Sequence, residues 1–170
     1  MIEEQSNPKT TTKRVRCFLL FTLFSFNLSL AFTQTSHPAG AADRIDALFN
    51  TPELSYEQAA AFVMEAADMP MSNAEAFRYA SEKGWLPKNA EARDTARLDG
   101  VSLLIMKAFE IKGGAFFSVF QNAHYAYREL EYRNVIEGKT VPAMAVSGEQ
   151  LIFIINRVLS EQERGIGSGE

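Results

Sequence analysis

The stretch Leu98–Phe109, LDGVSLLIMKAF, restricts the possible folds more than any other part of the chain. Leu98, Val101, Leu103, Leu104, Ile105, Met106, Ala108 and Phe109 put apolar groups on nearly every side of a helix. Only Asp99, Gly100, Ser102 and Lys107 interrupt them. A helix that is apolar almost all round must be covered from several directions. The run is also too short to cross a bilayer, which takes ~20 apolar residues. It is therefore expected to be the central helix of a core, with the rest of the chain wrapped around it.

The N-terminus has a different character. Lys9, Lys13, Arg14 and Arg16 precede an apolar run from Cys17 to Ala31, CFLLFTLFSFNLSLA. A basic start, a short apolar segment of roughly 7–15 residues and small residues at the cut make a secretory signal. Ser29 and Ala31 fit the small-x-small rule, which predicts a signal peptide over residues 1–31 with cleavage after Ala31. A retained membrane anchor is the competing reading. The short run and its Thr22, Ser25, Asn27 and Ser29 weigh against it. Cys17, the one cysteine, follows Arg16 at the front of this run, which is not where a lipidated cysteine stands. The mature chain then has no thiol, disulfide or cysteine metal site, and no stable membrane span. Its 139 residues suffice for one domain with a real core. They carry 13 basic and 19 acidic side chains, a net charge of −6. No basic block survives, so nucleic acid and acidic membrane surfaces are poor partner candidates. The expected location is exported, either periplasmic or associated with the cell surface.

From residue 32 to 42 the chain is small and polar and reads as a flexible tail, and 161–170 reads as a disordered one. Between them the pattern is helical throughout, so the fold class is all-α. Asp43–Asn50 has Ile45, Leu48 and Phe49 on one face, and Thr51-Pro52 ends it. Ser55-Tyr56-Glu57-Gln58 and Ser72-Asn73-Ala74-Glu75 are capping boxes. The first opens a helix to about Ala67, with Ala59, Phe62, Val63 and Ala66 inward. The second opens one that Gly84 terminates in a left-handed conformation. Trp85 and Leu86 then pack back over its last turn, and Lys88–Arg97 is a solvated connection. Gly113-Gly114 breaks the central helix, and Phe116–Phe120 is too short to settle helix against strand. Ala123, Ala126, Tyr127, Leu130 and Val135 follow at near-helical spacing. Ser147-Gly148-Glu149-Gln150 is a third box, opening a helix through Leu151–Ile155 to Leu159.

Three segments align without gaps: Leu54–Gln58, Leu98–Ser102 and Val146–Gln150. Each is an aliphatic residue, a cap and an apolar helix, with the caps Ser55, Asp99 and Ser147 spaced by 44 and 48 residues. Such spacing points to repeated helix–loop–helix units that bury their faces against one another. Ala76-Phe77-Arg78-Tyr79-Ala80 through Gly84-Trp85-Leu86-Pro87 and then Leu98–Phe109 resembles one module of the S-layer homology (SLH) family. Ala123–Leu130 through Gly138 and then Val146–Leu159 resembles another, and a shorter unit begins at Asp43. The resemblance covers most of 43–160. It implies three modules packed as a small pseudo-threefold bundle, and a role in holding exported proteins to wall glycans. The family's second helix opens close to I-T-R-A-E, with the arginine implicated in glycan contact. Tyr56, Gly100 and Gly148 take that arginine's place here.

Residues for catalysis are sparse. His124 is the one histidine between 43 and 160, without cysteines or a carboxylate cluster nearby in sequence, so no metal site or cofactor is expected. No nucleophile turn of the G-x-S-x-G kind is present, and Gly113-Gly114 lacks the spacing and lysine of a phosphate loop. No catalytic residue is assigned. Phe116, Phe117, Phe120, Tyr125, Tyr127 and Tyr132 make the most aromatic region, readable as core with a hydrated edge or as a sugar- or peptide-stacking surface. On the second reading Trp85, Tyr125, Arg128 and Arg133 are the candidate ligand-binding residues. The expected function is a non-catalytic cell-envelope module binding an envelope protein or a wall glycan. The alternative is a periplasmic enzyme or enzyme accessory subunit, for which His124 would meet carboxylates in a deep pocket.

Overall fold

A computed structural model describes residues Gly40–Gly167. The expected signal peptide and cleavage site, residues 32–39 of the tail and residues 168–170 lie outside them. Among the described residues there are seven helices and no strand longer than an isolated bridge: α1 (Gly40–Phe49), α2 (Tyr56–Ala66), α3 (Asn73–Glu82), α4 (Leu98–Ala108), α5 (Ala115–Phe120), α6 (Ala123–Tyr132) and α7 (Gly148–Gly167). The fold is all-α. α4 is the central element, packed chiefly against α6 and α2, while α3 lies on α2 and α1 on α7. Its residues from Leu98 to Met106 are buried except Asp99, and they include Ser102. A buried hydroxyl needs a partner, and Ser102 finds one by donating to the Leu98 carbonyl at 2.6 Å.

Ser55 and Ser72 cap α2 and α3 through reciprocal boxes with Gln58 and Glu75. The Ser72 bonds hold the Glu75 carboxyl below the usual glutamate range. That contribution to stability is present above the ordinary glutamate range and is lost as pH falls through the lowered folded value. Ser147 Oγ accepts from the Gln150 amide at 3.1 Å. Asp99, in contrast, is not the cap of α4. The cap is Arg97, whose side chain makes no capping bond to the helix amides, and Asp99 lies inside the first turn. Its carboxylate takes the Gly100 N–H at 2.8 Å and the Arg97 guanidinium at 2.9 Å. The helix-opening residues are thus Ser55, Arg97 and Ser147.

The helix starts are set by a ring of backbone bonds between extended residues. Leu54 N–H donates to the Val146 carbonyl at 2.9 Å, Val146 N–H to the Ala96 carbonyl at 3.0 Å, and Ala96 N–H to the Leu54 carbonyl at 2.7 Å. The three residues are fully buried, so their amides and carbonyls must find protein partners. The ring supplies them, and α2, α4 and α7 leave from it.

Four helices end alike. Asp68, Gly84, Glu110 and Asn134 have φ of 59°, 67°, 52° and 56°. The residue after each, Met69, Trp85, Ile111 or Val135, returns its N–H to Met64, Ala80, Met106 or Leu130 at 2.8–2.9 Å. These are Schellman motifs, each with an apolar residue folded back on the helix. Gly84 is expected there from sequence. Asn134 stops α6 before Val135, where the apolar spacing alone continues the helix. Glu110 is the least suited to this conformation, being neither glycine nor a short amide or carboxylate. Glu110→Gly is expected to stabilise the domain by about 0.5–1 kcal/mol, read from urea unfolding midpoints at unchanged m. A lowered midpoint would mean that the Glu110 side chain contributes more than its backbone costs.

Phe116–Phe120 is helical. The tails are shorter than the sequence implies: α1 begins at Gly40, and α7 continues to Gly167 instead of yielding to a disordered tail at Glu161. The reason is tertiary. Glu161 pairs with Arg133 at 3.0 Å, and Gln162 donates to the Phe109 carbonyl at 3.1 Å, which holds this turn of α7 against the end of α4.

Candidate functional site

The aromatic region divides at α5. Gly114 N–H donates to Glu129 Oε2 at 2.9 Å, and Ser118 Oγ donates to the Gly113 carbonyl at 3.1 Å, which ties the start of α5 to α6. Gly113 is required because a Cβ there would come within 2.5 Å of the Phe117 ring. In this pose Phe117 is buried, whereas Phe116, Val119 and Phe120 are 69%, 74% and 56% exposed. Tyr125, half-buried on α6, lies nearly parallel to Phe116 (centroids 5.8 Å, planes 9°) and to Phe120 (5.2 Å, 21°). His124 meets the Tyr125 ring edge-on at 5.4 Å. Lys107 Nζ donates to Gln121 Oε1 at 2.5 Å at the far end of α5.

The four residues singled out in the sequence occupy different settings. Tyr125 is part of this aromatic face. Arg128 stands one turn along α6, exposed and paired with Glu131 at 3.0 Å. Arg133 is a structural hub. Its Nε donates to Glu129 at 2.9 Å, one terminal nitrogen to Glu161 at 3.0 Å and the other to the Lys112 carbonyl. Burial opposes its charge, but the two carboxylates outweigh it and hold its pKa above the usual arginine value. Arg133 thus joins α6, α7 and the segment leading into α5. Trp85 is on the α3–α4 connection, edge-on to Tyr79 at 5.5 Å. Half-buried, it packs over α3 as its sequence position implies.

Two grooves were not legible in the sequence because their walls come from distant segments. A polar one of about 570 Å³ lies at the starts of α2 and α4, lined by Tyr56, Pro87, Lys88, Asp94, Arg97 and Asp99. Burial pushes the Tyr56 hydroxyl above the usual tyrosine range, with a hydrogen bond from the Arg97 backbone opposing it. The other, about 420 Å³, runs between α7 and the segment after α6, with Ile136, Met144, Phe153 and Ile154 as its apolar wall. Its rim carries the Arg157–Glu137 pair, in which the arginine lowers the Glu137 pKa. Arginine and carboxylates around the apolar wall of this second groove suit recognition of a mixed polar and apolar surface. No group of three or more His, Cys, Asp or Glu side chains among the described residues is placed to hold a metal ion.

Compared with known proteins, the chain matches no family model, no curated protein and no solved structure.

Proposed function

We propose that residues 43–160 are three degenerate SLH-like helix–loop–helix units around a pseudo-threefold axis, forming an exported, non-catalytic envelope module. The observation that carries this reading is the ring joining Leu54, Ala96 and Val146, in which each residue donates one backbone bond and accepts one. Three equivalent segments meeting at an axis satisfy their buried backbone groups in this cyclic way. The ring pairs Leu54–Gln58 with Ala96–Gly100 and Val146–Gln150, two residues away from the sequence alignment in the middle unit. The family's arginine position then falls on Tyr56, Leu98 and Gly148 rather than Gly100.

All three are buried and uncharged. A fixed guanidinium is the natural ligand for an anionic polymer, and none stands at these positions. The module's partner is therefore an envelope protein, held at the groove where the starts of α2 and α4 meet, in preference to an anionic wall glycan. His124, on which an enzyme reading depends, is exposed against Tyr125 and lines neither of the grooves described above.

Sedimentation with purified anionic wall glycan is the test, at low and moderate salt. Little retention at either salt is expected. Strong retention that fades with salt would show that Lys88, Arg97 or other cations rebuild a glycan site, and the preference for a protein partner would fall. Export is checked separately by intact mass in the native host, where the expected species begins at Phe32. A mature species that keeps residues 17–31 would remove the cleavage claim.

A further inference from the structure

The outward face of α5 is the largest apolar feature that neither the core nor the grooves account for. Phe116, Val119 and Phe120 line neither of the grooves described above, so they protrude where small-molecule sites are concave. Val119 projects beside the rings and spoils a flat stacking platform for a sugar. Their combined exposed area is roughly 300–400 Å², well below the ~800 Å² per partner of a stable protein interface. A second copy pairing through this face alone would be held too weakly. The charges around the face have a definite arrangement. Lys112 lies just before Gly113-Gly114, and Lys107 reaches Gln121 at the other end of α5. The carboxylate beside α5, Glu129, already accepts from Gly114 N–H and from Arg133.

Small protruding aromatics flanked by lysines match the headgroup–acyl boundary of a bilayer. There the rings leave water, and the ammonium groups reach lipid phosphates. We propose that the α5 face docks on a phospholipid surface, with Phe116, Val119 and Phe120 entering the interface and Lys107 and Lys112 contacting phosphate. The chain's net charge of −4, or −6 for the expected mature form, acts on the face only through nearby groups, because charges farther than the ~8 Å screening length contribute little there. The proposal is independent of what the grooves bind and stands if the glycan experiment goes either way.

The test places a tryptophan at the face of the full chain, Phe116→Trp, and subtracts the emission of the unaltered protein, which reports Trp85 alone. The probe is vesicles of phosphatidylethanolamine and phosphatidylglycerol with brominated acyl chains. The added emission is expected to shift to the blue and lose most of its intensity with these vesicles, while Trp85 is unaffected. Combining Phe116→Trp with Val119→Lys and Phe120→Ser is expected to abolish both changes. Emission at position 116 that ignores the vesicles would overturn the proposal. So would a blue shift that depends on protein concentration without lipid, since a second copy would then cover the face. Quenching that survives the combined substitutions would overturn it as well, because recruitment would not need the apolar side chains.

Discussion

Gly148→Ala is expected to lower the stability of the domain by about 3 kcal/mol or more, a large effect for a single methyl group. Gly148 is the first residue of α7 and is buried. A Cβ there would overlap the Leu48 carbonyl oxygen, stand 2.5 Å from its carbon and lie 3.3 Å from the Phe49 amide nitrogen. These are backbone atoms of α1 and cannot rotate away as a side chain would. The same glycine donates its N–H to the Thr51 carbonyl at 2.9 Å, so moving α1 outward also breaks this bond. Helix propensity alone favours alanine over glycine by roughly 1 kcal/mol, which makes the expected sign informative. Urea unfolding of the purified variant reads it. Equal or greater stability would mean that α1 does not press on α7 in this way.

Ile105→Asp is expected to cost about 4 kcal/mol or more and to leave much of the chain unfolded at moderate temperature. Ile105 is fully buried in the middle of α4, with Leu104 and Met106 buried on either side. No cation stands among these neighbours to pair with a carboxylate. The group must stay charged at high desolvation cost, take up a proton or open the core. Met106→Asp is expected to behave alike, since its side chain is equally enclosed. Thermal melts followed by far-ultraviolet circular dichroism decide the matter. Unchanged melting of both variants would place the core elsewhere.

The α4 core could be read from one segment because burial on all sides leaves a local signature, apolar residues without a polar stripe. Ser55 and Ser72 were equally legible, since a capping box is completed within four residues and needs nothing from the rest of the fold. Gly84 belongs with them, because a left-handed helix end is a backbone preference of glycine itself. The candidate site was less accessible. Aromatic content marked α5 and α6, but which rings turn outward depends on Glu129 gripping Gly114 from the next helix.

Arg97 and Gly148 show what the local pattern lacks. Asp99 has the chemistry of a cap, yet α4 begins before it, because Ala96 must pair its buried backbone with Leu54 and Val146. Gly148 resembles an ordinary residue of a capped helix until α1 arrives and leaves no room for a Cβ. Glu161 and Gln162 have the composition of a tail, and Arg133 and the Phe109 carbonyl make them part of a helix. The sequence by itself determined where helices are stable and which of them carries the core, since propensity, capping and amphipathicity act within a few turns. The tertiary structure decided the start of α4, the extent of α7 and the outward face of α5. Each of those depends on backbone groups and charges that are distant along the chain and meet only after the helices have packed.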